Sequence, residues 1–132
     1  MLNTIKKRAD FLAITARGKR FITGNFILQM LARDETHPAG PLPRFGFTVT
    51  KKMGNAVVRN RIKRRLRESV RLSGAAKALN GHDYVVIPRH KALTCEFAHL
   101  LRDMEFAFSR IIYMKNEEPG SNPRPVKKPR KK

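Results

Sequence analysis

Apolar residues recur at every fourth position through one strongly polar stretch, at Val58, Ile62, Leu66 and Val70, with the small Ser69 beside them. That spacing keeps one side of an α-helix apolar, and at about 100° per residue it marks out an arc of roughly 120°. Asn60, Arg61, Lys63, Arg64, Arg65, Arg67 and Arg71 sweep the rest of the circumference. Asn55 is suited to cap the helix by accepting an N–H of its first turn, and Gly54 lets the chain bend sharply into it. The pattern predicts a helix fastened to a core by a narrow stripe.

Around this helix the period changes. Lys19 to Arg33 reads as two strands joined at Thr23-Gly24-Asn25. Arg44 to Thr50 alternates, with Phe45, Phe47 and Val49 on one face and Gly46, Thr48 and Thr50 on the other. The same division sets Phe26, Leu28 and Met30 against Ile27, Gln29 and Leu31. One face of the sheet is therefore oily, and the other has the small and polar groups of a half-open groove. Asp83 to Ile87 is a buried strand ending at Pro88. A helix over 5–17, capped by Asn3 or Thr4 and closed by Gly18, precedes the strands. Another runs from Thr94 or Cys95 to Met114 on an apolar face of Phe97, Leu100, Leu101, Met104, Phe108, Ile111 and Ile112. Ser73 and Gly74 interrupt the basic helix, and Ala75 to Leu79 adds a further turn. The expected fold is an α/β (α+β) two-layer sandwich of order αβββαβα, filling 1–115 as one domain. From Asn116 periodicity is lost, and four prolines and six Lys/Arg in Pro119 to Lys132 describe a disordered basic tail over 116–132.

Charge changes the picture from a fold to a partner. The chain carries 29 Lys and Arg against 10 Asp and Glu, a net +19, which calls for a polyanion. Nine of the cations fall between Lys51 and Arg71, where Glu68 is the one acid. A solvated surface helix interleaves acids for pairing at i,i+4; here like charges sit at 59/63/67/71 and at 61/64/65. Arg outnumbers Lys six to one between 59 and 71, which favours planar, bidentate phosphate recognition. The acidic loop Asp34 to Pro43 should face away from that partner. No apolar run approaches the ~20 residues that cross a bilayer, the N-terminal residues lack the apolar core of a signal peptide, and Cys95 has no second cysteine to pair with. A reducing, cytoplasmic home is expected, with Cys95 as a small buried apolar group.

Protein-borne catalysis finds little support. A two-metal nuclease centre needs several carboxylates around ions about 4 Å apart, and the few acids are scattered through loops, tail and last helix. His37, His82, His90 and His99 lack metal-ligand spacing. DNA reading is also poorly supported, because there is no helix-turn-helix partner and no dimerisation heptad. A sheet groove beside a basic helix suits a single strand. A ribosome-associated structural RNA-binding protein or RNA chaperone, and a DNA-compacting protein, share the charge and remain open at this point.

The string Lys52-x-Gly54-Asn55-Ala56-Val57-x-Arg59-Asn60-Arg61-x-Lys63-Arg64-x-x-Arg67 resembles the signature of the bacterial ribonuclease P protein component. The resemblance spans about Ile5 to Met114. It implies an α/β sandwich whose βαβ crossover is left-handed, against the usual rule. It further implies a protein subunit of ribonuclease P that binds the catalytic RNA and the 5′ leader of precursor tRNA, one protein per RNA. The RNA, with its Mg²⁺ ions, removes the leader, so this chain supplies no catalytic residue and no metal site. By similarity Lys51, Lys52, Asn55, Arg59, Asn60, Arg61, Lys63, Arg64 and Arg67 contact the catalytic RNA, while Phe11, Thr15, Gln29, Thr48 and Thr50 line the leader groove. Thr15 and Gln29 stand where some members carry aromatics, so hydrogen bonding replaces part of the stacking there.

Overall fold

The computed structural model describes residues 2–114; the tail expected over 116–132 lies outside them. Helix α1 (Arg8–Arg17) leads into strands β1 (Lys19–Ile22), β2 (Phe26–Ala32) and β3 (Arg44–Phe47). One 3₁₀ turn (Lys51–Met53) then precedes helix α2 (Ala56–Ser69). Strand β4 (His82–Pro88), the single turn α3 (Lys91–Thr94) and helix α4 (Phe97–Arg110) complete the α+β fold. The strands form one mixed sheet of order β1-β2-β4-β3. β1 and β4 run antiparallel to β2, and β3 runs parallel to β4. The basic helix α2 is therefore the crossover between two adjacent parallel strands.

Alternation along the strands separates the two faces as expected. Phe26, Leu28, Met30, Phe45, Tyr84 and Val86 pack against Ile62, Leu66 and Val70 of the basic helix and against Leu100, Met104, Ala107 and Phe108 of α4. Sheet and helices make the two-layer sandwich. The opposite face is not bare: Ile14 and Phe11 of α1 sit with Ile5, Leu31, Val85 and Ile87. Burying this second, smaller cluster fastens α1 over part of the sheet.

Several boundaries depart from the sequence pattern, and β3 ends at Phe47, short of the expected Thr50. Helix α1 starts at Arg8 because residues 3–5 are extended: Ile5 N donates to Phe45 O at 2.9 Å and Phe45 N donates to Asn3 O at 2.8 Å. Neither Asn3 nor Thr4 caps it; Lys7 holds the cap position without a side-chain bond. Helical structure also does not stop at Ser73 and Gly74. It widens into a π-turn over Val70–Gly74 and tightens to a 3₁₀ turn over Ala75–Lys77. Gly74 is there for packing, since a Cβ would lie 2.8 Å from the Phe108 ring. The last helix starts at Phe97, behind the separate turn α3, and its α-helical part ends at Arg110, with a 3₁₀ turn over Ile111–Tyr113, where one helix from Thr94 or Cys95 to Met114 was expected. Among the described residues no helix is long and apolar enough to cross a membrane.

Candidate nucleic-acid interface

The entry to α2 is built by two residues. Asn55 Oδ1 accepts from Val58 N at 3.0 Å, capping the first turn. Gly54 has φ 139°, and a Cβ there would also lie 2.9 Å from Val58 Cγ1. Both the left-handed backbone and the close approach call for glycine. Ile62, Leu66, Ser69 and Val70 are fully buried, which fixes the rotation of the helix and points its other faces outward. Lys51, Lys52, Asn55, Asn60, Arg61, Arg64 and Arg67 are exposed, and Arg59 and Lys63 are half-buried.

Not every guanidinium on this helix is free for a partner. Arg65 Nε donates to Ala92 O at 3.0 Å, its Nη2 donates to Cys95 O, and its guanidinium lies 5.8 Å from the Phe97 ring centre. It joins α2 to the α3–α4 corner. Arg71 makes a two-pronged bond to Glu68, at 2.8 and 2.7 Å. That bond holds the Glu68 carboxyl below its ordinary value and raises Arg71. Lys51, Lys52, Arg59, Arg61, Lys63, Arg64 and Arg67 have no acidic partner among the described residues. Arg59 Nε is buried with no hydrogen-bond partner among the described residues. Arg67 lies 5.9 Å from the Phe47 ring centre, a cation–π contact that steadies it.

The far sheet face meets this helix at its N-terminal end. Phe11 is half-buried over Gly46, where a Cβ would come within 2.6 Å of Cε1 and 2.7 Å of Cζ. Thr15, one turn further along α1, is exposed, as is Thr50, while Thr48 is half-buried. Beyond β3 the chain runs through Thr48 and Thr50 directly into Lys51 and Lys52. Gln29 is a correction. It is only 1% exposed, so a strand lying on this surface does not reach its amide, and neither Nε2 nor Oε1 has a partner among the described residues. Alternation gave its face correctly, but α1 covers that part of the face.

Basic residues that motif reading passed over lie next to this entry. A concavity of about 450 Å³ is lined by Thr50, Lys52, Arg89, His90 and Lys91, among others. The signal was the run Arg89-His90-Lys91 after the strand-ending Pro88.

At the other end of β3, Asp83 anchors a buried ion cluster. It accepts from Arg33 Nη1 at 2.6 Å, from Arg44 Nε at 2.9 Å and from Arg44 Nη2 at 2.7 Å. Arg44 also reaches Asp10 of α1 at 3.3 Å. The hydrogen bonds that Arg44 donates to Asp83 raise its pKa above the ordinary value against the opposing effect of burial. Arg33 Nη2 further donates to Gly40 O at 2.5 Å and Leu42 O at 2.6 Å, pinning the loop 34–43. These two carboxylates are therefore committed to structure. Among the described residues no group of three or more His, Cys, Asp or Glu is arranged to hold a metal ion.

This arrangement has counterparts. The ribonuclease P family profile matches residues 2–112. The ribonuclease P protein component of Gluconacetobacter diazotrophicus is 49% identical over 100 residues, covering 76% of this chain and 83% of that one. That of Paramagnetospirillum magneticum is 43% identical over 110 residues, covering 83% of each. Among solved structures, the RNase P protein from Thermotoga maritima superposes with a TM-score of 0.69 at 28% identity, over 83% of this chain and 97% of that one. The Staphylococcus aureus RNase P protein gives 0.66 at 30% identity, over 81% and 93%. With its basic crossover helix, its mixed sheet and a family match over nearly all described residues, the chain belongs to the bacterial ribonuclease P protein component family.

Proposed function

We propose that this subunit grips the ribonuclease P RNA through the outward side of α2 and holds the 5′ leader of precursor tRNA along the groove between α1 and β3. The observation that carries the reading is the continuity of the chain beyond β3 with the entry to α2: Thr48 and Thr50 lead directly into seven cations that have no acidic partner among the described residues. Lys51, Lys52, Arg59, Arg61, Lys63, Arg64 and Arg67 neutralise phosphates where segments of the catalytic RNA crowd together, with Asn55 and Asn60 beside them. The half-buried Arg59 Nε gains a phosphate acceptor on assembly. Phe11 offers a ring face to one leader base, and Thr15, Thr48 and Thr50 offer hydroxyls to the leader backbone.

In this reading the RNA carries Mg²⁺ and performs hydrolysis, and the protein lowers the Mg²⁺ concentration at which the RNA folds and cuts. The site is one protein per RNA and works in the cytoplasm. Seven engaged cations correspond to a slope of log K against log salt of about −5 to −6. The direct test adds the purified chain to a bacterial ribonuclease P RNA and a precursor tRNA at low millimolar Mg²⁺, with the leader product followed on a gel. A large gain in rate that disappears in Arg59→Ala/Arg61→Ala is the expected result. No gain, together with equally tight binding of any RNA or duplex DNA, would reduce the chain to a general polyanion binder. Cleavage without added RNA would move the chemistry onto the protein.

A further inference from the structure

The outward face of α4 carries a second pattern that the α2 interface does not use. Leu100, Met104, Ala107, Phe108 and Ile111 are all fully buried, so the rotation of this helix is fixed as well. His99, Arg102, Phe106 and Arg110 then fall within an arc of about 80° on the opposite side, and all four are exposed. Tyr113 continues the line into the 3₁₀ turn Ile111–Tyr113. Phe106 is 53% and Tyr113 77% exposed.

A single exposed aromatic is ordinary. Here two lie in one line with two arginines and a histidine, and no acid falls inside the line. Asp103, to one side, is held by Asn25 Nδ2 at 2.6 Å, and Glu105 stands on the other flank. Phe106 is also held in place. The Arg110 guanidinium lies 5.1 Å from its ring centre, and Phe21 of β1 meets it in a T-shaped contact at 5.8 Å. A cavity of about 470 Å³ opens beside it, lined by Arg102, Asp103, Glu105, Phe106 and Ser109. Ring faces alternating with guanidinium groups suit unpaired bases and their phosphates, whereas a duplex hides its base faces in its own stack.

The place of this surface makes it separate from the first. Phe106 leans on β1, at one edge of the sheet, and Arg67 of α2 leans on Phe47 of β3, at the other. We infer that the outer face of α4 is a second binding surface for single-stranded RNA, in which Phe106 and Tyr113 stack on unpaired bases while Arg102 and Arg110 take the flanking phosphates. A net charge of +19 favours this occupant over a second copy of the chain. One subunit then holds two RNA segments at opposite edges of its helical layer.

The test irradiates the full chain with a short single-stranded RNA containing 4-thiouridine and maps the adducts by peptide mass. Adducts within 97–114, in addition to those from α2, are expected. Phe106→Leu/Tyr113→Leu should lower their yield about tenfold or more, since each stacked base contributes a factor of that order. Arg102→Gln/Arg110→Gln, which leaves both rings in place, should lower it as well and steepen less with added salt. Both pairs are exposed, and circular dichroism should give wild-type spectra. Adducts confined to α2 and the α1–β3 groove, or an unchanged yield in both variants, would overturn the inference. So would sedimentation of the RNA-free chain as a dimer that Phe106→Leu/Tyr113→Leu converts to monomer, because the face would then belong to a second copy.

Discussion

The Phe11–Gly46 contact makes the groove assignment open to a quantitative trial. Gly46→Ala places a methyl group 2.6 Å from Phe11 Cε1, 2.7 Å from Cζ and 3.3 Å from Ile5 Cδ1. Separations below 3 Å are not tolerated, so the ring must move, and it is wedged in the small cluster with Ile14 and Val85. Overpacking of this kind costs about 1–3 kcal/mol. Phe11→Ala alone should cost about 2 kcal/mol, roughly half the loss of a fully buried ring. With the ring gone the added methyl meets little, so the double variant should be hardly less stable than Phe11→Ala. The coupling energy in the cycle is then about 1–3 kcal/mol, and urea unfolding followed by circular dichroism measures it on the four proteins. The same displacement has a functional readout. If the ring takes a leader base, Gly46→Ala holoenzyme should lose affinity for precursor tRNA by about five- to tenfold, within the range for one stacked base, and hardly change its affinity for mature tRNA. Stabilities that add to within about 0.5 kcal/mol would remove Phe11 from the groove floor. Equal affinity losses for precursor and mature tRNA would remove the leader from the groove.

Two predictions concern what holds the interface in place. Asp83→Asn leaves Arg33 and Arg44, whose side chains are 3% and 14% exposed, facing a neutral amide, and should destabilise the fold by about 3–5 kcal/mol; a loss under about 1 kcal/mol in urea unfolding would show the cluster to be dispensable. Tyr84 is fully buried, its Oη accepts from Leu79 N at 2.9 Å, and burial pushes its pKa above the ordinary value. The folded state thus favours the neutral phenol. That contribution is complete below the unfolded value of about 10 and is lost as pH rises through the higher folded value. Wild type should therefore lose stability on the alkaline side of pH ~10 more steeply than Tyr84→Phe, which should itself be about 1 kcal/mol weaker near neutrality because Leu79 N–H loses its acceptor; parallel pH curves for the two proteins would refute the assignment.

How much of this was legible in the sequence depends on the range over which each feature is decided. The rotation of α2 follows from four apolar residues within three turns, and the density of like charge on its outer side from the same short stretch, so periodicity was sufficient for both. The strand faces were legible for the same reason. What covers a face is decided elsewhere in the chain. Gln29 reads as a groove residue from its alternation, yet α1, about fifteen residues earlier, buries it. Ile5 reads as a helical core residue, yet residues 3–5 are drawn out straight by hydrogen bonding to Phe45. The basic helix makes the point at single-residue scale. Arg61 and Arg65 are the same residue one turn apart, and nothing local distinguishes them. Arg65 is committed because the carbonyls of Ala92 and Cys95 come within its reach, and Arg61 faces outward because nothing does. The same holds for Asp83, whose two arginine partners arrive from the ends of two other strands. A count of cations therefore overstates the surface available to RNA. The ones that matter are those left over after the fold has used its own, and on α2 these are the side chains with no acidic partner among the described residues, which the function proposed above assigns to RNA phosphates.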